Sequence, residues 1–419
     1  MDKIRIKGGH PISGTIAISG AKNAALPLMA ASLLAQGKTV LNLIPHLADI
    51  DSMILLFKDL GVDVERLNDQ RLVIDCGHIR SYKADYDLVR KMRASILVLG
   101  PLVARFGQAC VSLPGGCAIG ARPVDLHIKG LQALGANIEI KDGYIYATTP
   151  KRLIGTKVAL PLVSVGATEN IMMAACLAEG TTVIENAARE PEIVDLACFL
   201  QKMGAEISGA GTSTLTIKGV PSLKPCQYQV MTDRIEAGTY MIAALITGGT
   251  LTLTNAPAQT LEALMTTLRQ AGADISIHQH NLTIKPSKTL TGVDVMTEPY
   301  PGFPTDLQAQ FMALMTVANG ASMITETIFE NRFMHVPELA RMGANITIHG
   351  SSALVRGVNK LSGAPVMATD LRASVSLVLA GLVAKGETIV NRIYHLDRGY
   401  ENLVEKLNRC GAVIDRIKN

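Results

Sequence analysis

In "SLPGGCAIGARPVDLH", residues 112–127, a cysteine follows a Pro-Gly-Gly turn and an arginine stands shortly after it. Pro114, Gly115 and Gly116 put Cys117 on a bent loop, and Gly120 and Pro123 continue the irregularity. A thiol in such a place can serve as a general acid, and its thiolate as a nucleophile. Arg122 beside it would lower the thiol pKa and hold a phosphate; the plain alternative is a loop cysteine without a role. Lys22 and Asn23 open an apolar helical run. Free N–H groups and the helix dipole suit an anion there, to which Lys22 adds a full charge; a cap followed by a solvated lysine is the alternative. Arg372 in "TDLRAS" and Arg398 in "DRGYE" lie near expected helix starts. Their planar forks can take a carboxylate through two parallel hydrogen bonds, or can form surface salt bridges such as Asp370 with Arg372. Asp306 follows the Pro-rich turn "YPGFPT" and can either accept a proton from a hydroxyl or cap the next helix. Ser164, Val165 and Gly166 precede another helix and offer backbone N–H groups to phosphate oxygens.

These residues are spread over a repeating chain. The segments "DLGVDVE", "ALGANIEI", "KMGAEIS", "QAGADISI", "RMGANITI" and "RCGAVIDR" are anchored on Gly61, Gly135, Gly204, Gly272, Gly343 and Gly411, a period of about 70 residues. Upstream of each anchor, another glycine opens a strand, and an apolar small-residue helix such as "NAALPLMAASLLA" or "GTYMIAALIT" comes before it. Each repeat reads helix, strand, helix, strand, strand. The anchoring glycine ends the second helix in a left-handed turn. The strand after it alternates, as in Ala344 to Ile348, and is expected to be half-buried. The first helix is apolar nearly all round and is expected to be central.

The sixth repeat stops one strand early, whereas the N-terminus carries two spare strands, "DKIRIKG" and "GTIAIS". Residues 1–21 are therefore expected to complete the last repeat. Two similar domains result, residues 22–230 and residues 1–21 with 231–419, and the chain crosses between them near Gly20–Lys22 and Val230–Asp233. A cleft between two such domains is the expected substrate site.

Composition narrows the function. Of the 419 residues, 48% are hydrophobic but only 4% aromatic, with no Trp, so Ala, Leu, Ile, Val and Met must fill the core. The net charge of +4 gives no basic patch for nucleic acid, though it suits small anionic substrates. Seven scattered cysteines without a CxxC pair fit a reducing compartment. No signal core and no membrane-length apolar run occurs, so a soluble cytoplasmic protein without membrane association is expected. Neither GxxxxGK[ST] nor a strand-linked GxGxxG appears, and His278 and His280 lack further ligands; no cofactor and no metal are expected.

The "PGGCAIGARPVDLH" loop, with "SGAKNAALPLMAASLL", "KMRAS", "SVGATEN", "TDRIEAGTY", "YPGFPTDLQAQF", "ETIFENRFMHVPEL", "TDLRASVSLVLAGL" and "DRGYENL", resembles the enolpyruvyl transferases over the whole chain. The resemblance implies an inside-out α/β barrel, two similar domains each of three repeated β-α-β-α-β-β units. The cysteine loop is similar to that of the nucleotide-sugar branch rather than the shikimate branch. It implies transfer of the enolpyruvyl group of phosphoenolpyruvate to the 3-hydroxyl of UDP-N-acetylglucosamine, with release of phosphate. The alternatives are a shikimate-type transferase and a catalytically inactive paralogue acting as a binding protein.

The same resemblance gives Cys117 the roles of proton donor, site of a phosphoenolpyruvate adduct and target of fosfomycin. It assigns Lys22, Asn23, Arg93, Arg122 and Arg398 to phosphoenolpyruvate; Arg372 joins them as a substrate residue on its planar fork alone. Arg122, Pro123, Val124, Asp125, Leu126, Ser164, Val165, Gly166 and Ile328 go to the nucleotide sugar. Asp306 goes to the sugar hydroxyl as its base. Ala48 and Leu162 stand where many members carry lysine, so two positive charges are missing from the diphosphate side.

Overall fold

Runs of Ala, Leu, Ile and Met leave no polar face on the first helix of each repeat, so each can be stabilised only by burial on all sides. In the computed structural model, which describes residues 2–67, 70–90, 92–114, 123–287 and 289–418, these become α1 (Lys22–Ser32), α2 (Leu99–Phe106), α3 (Val165–Ala175), α4 (Arg234–Thr247), α5 (Gln308–Met315) and α6 (Leu371–Val383). Every residue of α5 is buried, and of α1 only Asn23 is exposed.

The described residues pack into two compact units. One runs from Gly20 to Met231; the other joins the stretch ending at Ser19 to the stretch beginning at Thr232. Each has its own apolar core. In the second unit α4, α5 and α6 pack on one another, and in the first α2 packs on α3. No described helix is long and apolar enough to cross a membrane.

Three four-stranded sheets accompany the helices of each unit, all built alike. In the third repeat Lys157–Ala159 runs parallel to Thr181–Glu185, which pairs antiparallel with Thr214–Lys218, and Glu206–Ser208 lies on the outer edge. The short opening strand makes every repeat β-α-β-α-β-β. The anchoring glycines take positive φ throughout, from 83° at Gly61 to 111° at Gly272, a conformation that costs glycine little.

Two expectations are corrected. The N-terminal segment does not serve the sixth repeat alone. Lys3–Lys7 fills the missing place, antiparallel to both Glu387–Asn391 and Val413–Ile417, but Ser13–Ala17 runs parallel to Thr250–Thr254 in the sheet of the fourth repeat. The fourth repeat needs a parallel opening strand as every other does, and this one supplies it. In the unit from Gly20 to Met231 the same need is met by Gln227–Gln229, parallel to Lys38–Asn42, so that unit closes on itself. The strand after each anchoring glycine is an edge strand, and in the second, fourth and fifth repeats it is more open than expected, with Ile140, Ile277 and Ile348 55%, 45% and 43% exposed, whereas Ile207 and Ile414 in the third and sixth repeats are buried as expected. In those three repeats the alternation reflects β-propensity, while inner strands such as Ser352–Arg356 keep an alternating buried pattern.

Candidate active site

Pro304 leads into a 3₁₀ turn, Thr305–Leu307, that feeds α5 without any side-chain cap. Asp306 therefore does not act as an N-cap. Its carboxylate is held from two directions: Arg332 Nη2 donates to Oδ1 at 2.8 Å, and Arg372 Nη2 to Oδ2 at 3.0 Å. Burial pushes the Asp306 carboxyl up, but the two guanidiniums outweigh it and hold the group well below the ordinary carboxylate value. The arginine side chains are 5% and 6% exposed and the Asp306 side chain is 27% exposed, so part of it stays accessible.

The surroundings lock this cluster. Arg372 sits in the first turn of α6, whose backbone is capped by Asp370 accepting from the N–H groups of Arg372 and Ala373 at 2.8 and 3.0 Å. The alternative of an Asp370–Arg372 surface salt bridge gives way to this cap, and the Arg372 guanidinium turns inward to Asp306 and Tyr400. Its Nη1 donates to Tyr400 Oη at 3.2 Å, which also meets Thr239 Oγ1 at 2.9 Å and accepts from Gln310 Nε2 at 3.2 Å. Arg332 Nη1 donates to Thr305 Oγ1 at 3.3 Å, and the Thr305 hydroxyl donates to Glu326 at 2.9 Å. Glu326 also accepts from Thr297 Oγ1 and from the backbone N–H groups of Ile328 and Phe329. Ile328 is thereby fixed on the loop that carries Arg332. Arg398 ends the 3₁₀ turn Ile393–Arg398 and is half-buried.

A second group of expected residues gathers on the unit from Gly20 to Met231. Lys22 begins α1, is 8% exposed, and its Nζ donates to buried Asp49 Oδ2 at 3.0 Å. This overturns the solvated-lysine alternative. Asn23 beside it is exposed. Ser164 caps α3, its Oγ accepting from Ala167 N at 3.3 Å, so Val165 and Gly166 form the first turn of a helix with orphan N–H groups. Arg93 opens the 3₁₀ turn Arg93–Val98 and donates to Pro123 O at 3.3 Å. Val124 is buried, and Asp125 and Leu126 begin the helix Asp125–Ala133. Asn170, wholly buried on α3, joins these parts: it donates to Ile96 O, accepts from Gly100 N at 2.7 Å and meets His127 Nδ1 at 3.1 Å. Ala48 and Leu162 are both exposed.

Cys117 and Arg122 lie outside the described residues. The six other cysteines are free, and burial is the leading cause that pushes each thiol up, to about 12 for Cys76 and Cys176. Cys198 is exposed on the helix Pro191–Lys202.

Sequence reasoning missed Arg332, Glu326, Tyr400, His127 and Asn170. Asn170 and His127 stood inside the motifs "SVGATEN" and "PVDLH". Glu326 and Arg332 likewise stood inside "ETIFENRFMHVPEL" and Tyr400 inside "DRGYENL", but the pairing of Arg332 with Asp306, 26 residues away, gave no local signal.

Residues 6–407 match the family described as EPSP synthase (3-phosphoshikimate 1-carboxyvinyltransferase). The solved enolpyruvyl transferase NikO from Streptomyces tendae superposes with a TM-score of 0.91 at 25% identity, covering 100% of this chain and 99% of that one. EPSP synthase from Acinetobacter baumannii gives 0.80 at 22% identity with both chains covered completely, a likeness of fold. Curated relatives are much nearer in sequence. The UDP-N-acetylglucosamine 1-carboxyvinyltransferases of Granulibacter bethesdensis and Acidiphilium cryptum are 61% and 60% identical, each over 100% of both chains. Fold, family match and full-length identity agree: the chain belongs to the EPSP synthase family of enolpyruvyl transferases, with the UDP-N-acetylglucosamine 1-carboxyvinyltransferases.

Proposed function

We propose that this enzyme transfers the enolpyruvyl group of phosphoenolpyruvate to the 3-hydroxyl of UDP-N-acetylglucosamine and releases inorganic phosphate, the first committed step of peptidoglycan synthesis. The observation that carries the reading is the 61% identity over 418 residues with the Granulibacter transferase. The reaction adds a proton to the methylene carbon of phosphoenolpyruvate and the sugar oxygen to its C2, while a base takes the hydroxyl proton. The adduct then loses phosphate and a methyl proton, which restores the double bond. Cys117 is the proton donor on this reading, and a thiol that forms an adduct with the same carbon skeleton is also the group a fosfomycin-type electrophile would alkylate. Lys22, Asn23, Arg93, Arg122, Arg372 and Arg398 hold the phosphate and carboxylate of phosphoenolpyruvate. Arg122 to Leu126, Ser164 to Gly166 and Ile328 hold the nucleotide sugar.

Asp306 is the base. A carboxylate paired with two guanidiniums is a weak one, yet it suits the step. As the bond from O3 to C2 forms, the hydroxyl becomes oxonium-like and strongly acidic, so the acceptor must be ionised and well aimed rather than strongly basic. Its accessible part is where the hydroxyl would sit. The free, unpaired state of the described cysteines supports a reducing, cytoplasmic setting.

The test is phosphate release from phosphoenolpyruvate with different acceptors. Release that depends on UDP-N-acetylglucosamine supports the reading. Release that depends instead on shikimate 3-phosphate, or with neither acceptor, rejects it.

A further inference from the structure

We propose that Arg332 is a positioning residue for this reaction: it holds the Asp306 carboxylate in one plane and supplies its lasting counter-charge, so that Arg372 can turn to an anionic group of the substrate. The proposal rests on the reading of Asp306 as the acceptor of the sugar proton.

The two arginines that share Asp306 are held in different ways. Arg372 lies at the start of a 13-residue helix, where anions are favoured, and its other Nη already leans on Tyr400. It can exchange one anion for another without leaving its place. Arg332 is instead committed to the turn that bears Asp306. Its Nη2 is on Asp306 and its Nη1 on Thr305, which neighbours Asp306 in the same turn. Its buried Nε meets no acceptor among the described residues, and its guanidinium carbon stands 5.2 Å from the centre of the Phe329 ring. Glu326 completes the lock by accepting both from Thr305 and from the backbone of the Arg332 loop. The turn bearing the carboxylate and the loop bearing the arginine are thus fastened at three points, while the Asp306 side chain stays 27% exposed.

Charge explains why a second arginine is needed. The groups that face Asp306 are Arg332 and Arg372; Glu326 reaches it through Thr305, and Tyr400 and Asp233 act on Arg372. When Arg372 engages a phosphate or carboxylate, its share of the positive field on Asp306 is drawn away. Without Arg332 the carboxylate would then rise toward its ordinary value and lose its aim. An opposite charge at this distance holds an aspartate down by about 1–3 pH units.

The experiment compares Arg332→Gln and Arg332→Lys with the parent in steady-state kinetics across pH. For Arg332→Gln, kcat is expected to fall about 10- to 100-fold, part of the 10²–10⁴-fold that a positioned base supplies. KM for phosphoenolpyruvate should stay within a few-fold, and the acid limb of kcat should move up by about one pH unit. Arg332→Lys keeps the charge but not the fork, so the acid limb should return while kcat recovers only in part. A raised KM with unchanged kcat and an unmoved limb overturns the proposal and makes Arg332 a binding or merely structural residue. If Arg332→Gln does not fold, Arg332→Lys decides: parental kcat in that variant is contradictory, and a reduced kcat at unchanged KM is supporting. Asp306→Asn separates the two levels. Full activity in Asp306→Asn removes the base reading itself; loss of activity there, with an unmoved limb in Arg332→Gln, removes only the role given to Arg332.

Discussion

Replacing Asp306 by Asn removes the negative charge shared by two buried guanidiniums. Leaving buried charges uncompensated costs about 3–5 kcal/mol in comparable pairs, so the variant is expected to melt lower than the parent as well as to lose turnover by about 10²–10⁴-fold. A reading of Asp306 as a helix cap leads to the opposite forecast, since Asn caps well. The pH dependence separates them. The folded carboxyl is depressed, so the stability it contributes is complete above the ordinary aspartate value of about 3.9 and is lost as pH falls through the depressed value. The melting gap between parent and variant should be wide at pH 7 and close in strong acid; equal melting curves at pH 7 contradict the clamp. Cys117 is tested by contrast with its counterparts. All six described thiols are raised by burial and carry little thiolate at neutral pH. One equivalent of alkylator followed by mass mapping should label Cys117; a label on exposed Cys198 instead counts against its role.

At the scale of elements, burial of a charge can be read in one helix. Asp195 on the outer helix Pro191–Lys202 accepts from Tyr228 Oη at 2.8 Å and from Met231 N at 3.4 Å. Burial nevertheless dominates and raises its carboxyl to about 6. A raised pKa means that its contribution is fully favourable below the ordinary value and is lost as pH rises through about 6. Asp195→Asn is therefore expected to stabilise the protein by about 1–2 kcal/mol at pH 8, net of the weak bond from Met231, and not at pH 4. A gain of the same size at both pH values contradicts charge burial as its cause. The elements themselves differed in how plainly the sequence announced them. The six core helices were legible because a helix apolar all round has no other stable place, and the anchoring glycines because a left-handed cap needs them. The opening strands were not, since Lys83–Ala84 and Val295–Met296 are two residues long and have no period to detect. The caps Ser164 and Asp370 act locally and follow local rules. The pairing of Asp306 with Arg372 spans 66 residues and is set by how α5 and α6 pack, which no window of sequence contains.

At the scale of the whole chain, repetition made the architecture readable: six sheets of one topology, with the strand lacking at the C-terminus supplied by Lys3–Lys7. What repetition could not reveal is that Ser13–Ala17 belongs to a different repeat from Lys3–Lys7, because both segments look alike as strands and only the need for a parallel opening strand assigns them. The residues proposed for the chemistry are likewise drawn from both stretches of sequence. Lys22, Arg93 and Ser164 to Gly166 come from one unit, and Asp306, Ile328, Arg372 and Arg398 from the other. The proposed reaction makes one demand: a proton must be added to the methylene carbon of phosphoenolpyruvate and a methyl proton must later be removed. Turnover of phosphoenolpyruvate and UDP-N-acetylglucosamine in deuterated water tests it directly. The expected product is the nucleotide sugar heavier by one enolpyruvyl group, with deuterium in its methylene position and free phosphate formed in equal amount. A product without deuterium at that carbon, or a nucleotide sugar that has gained phosphate rather than enolpyruvate, would contradict the account.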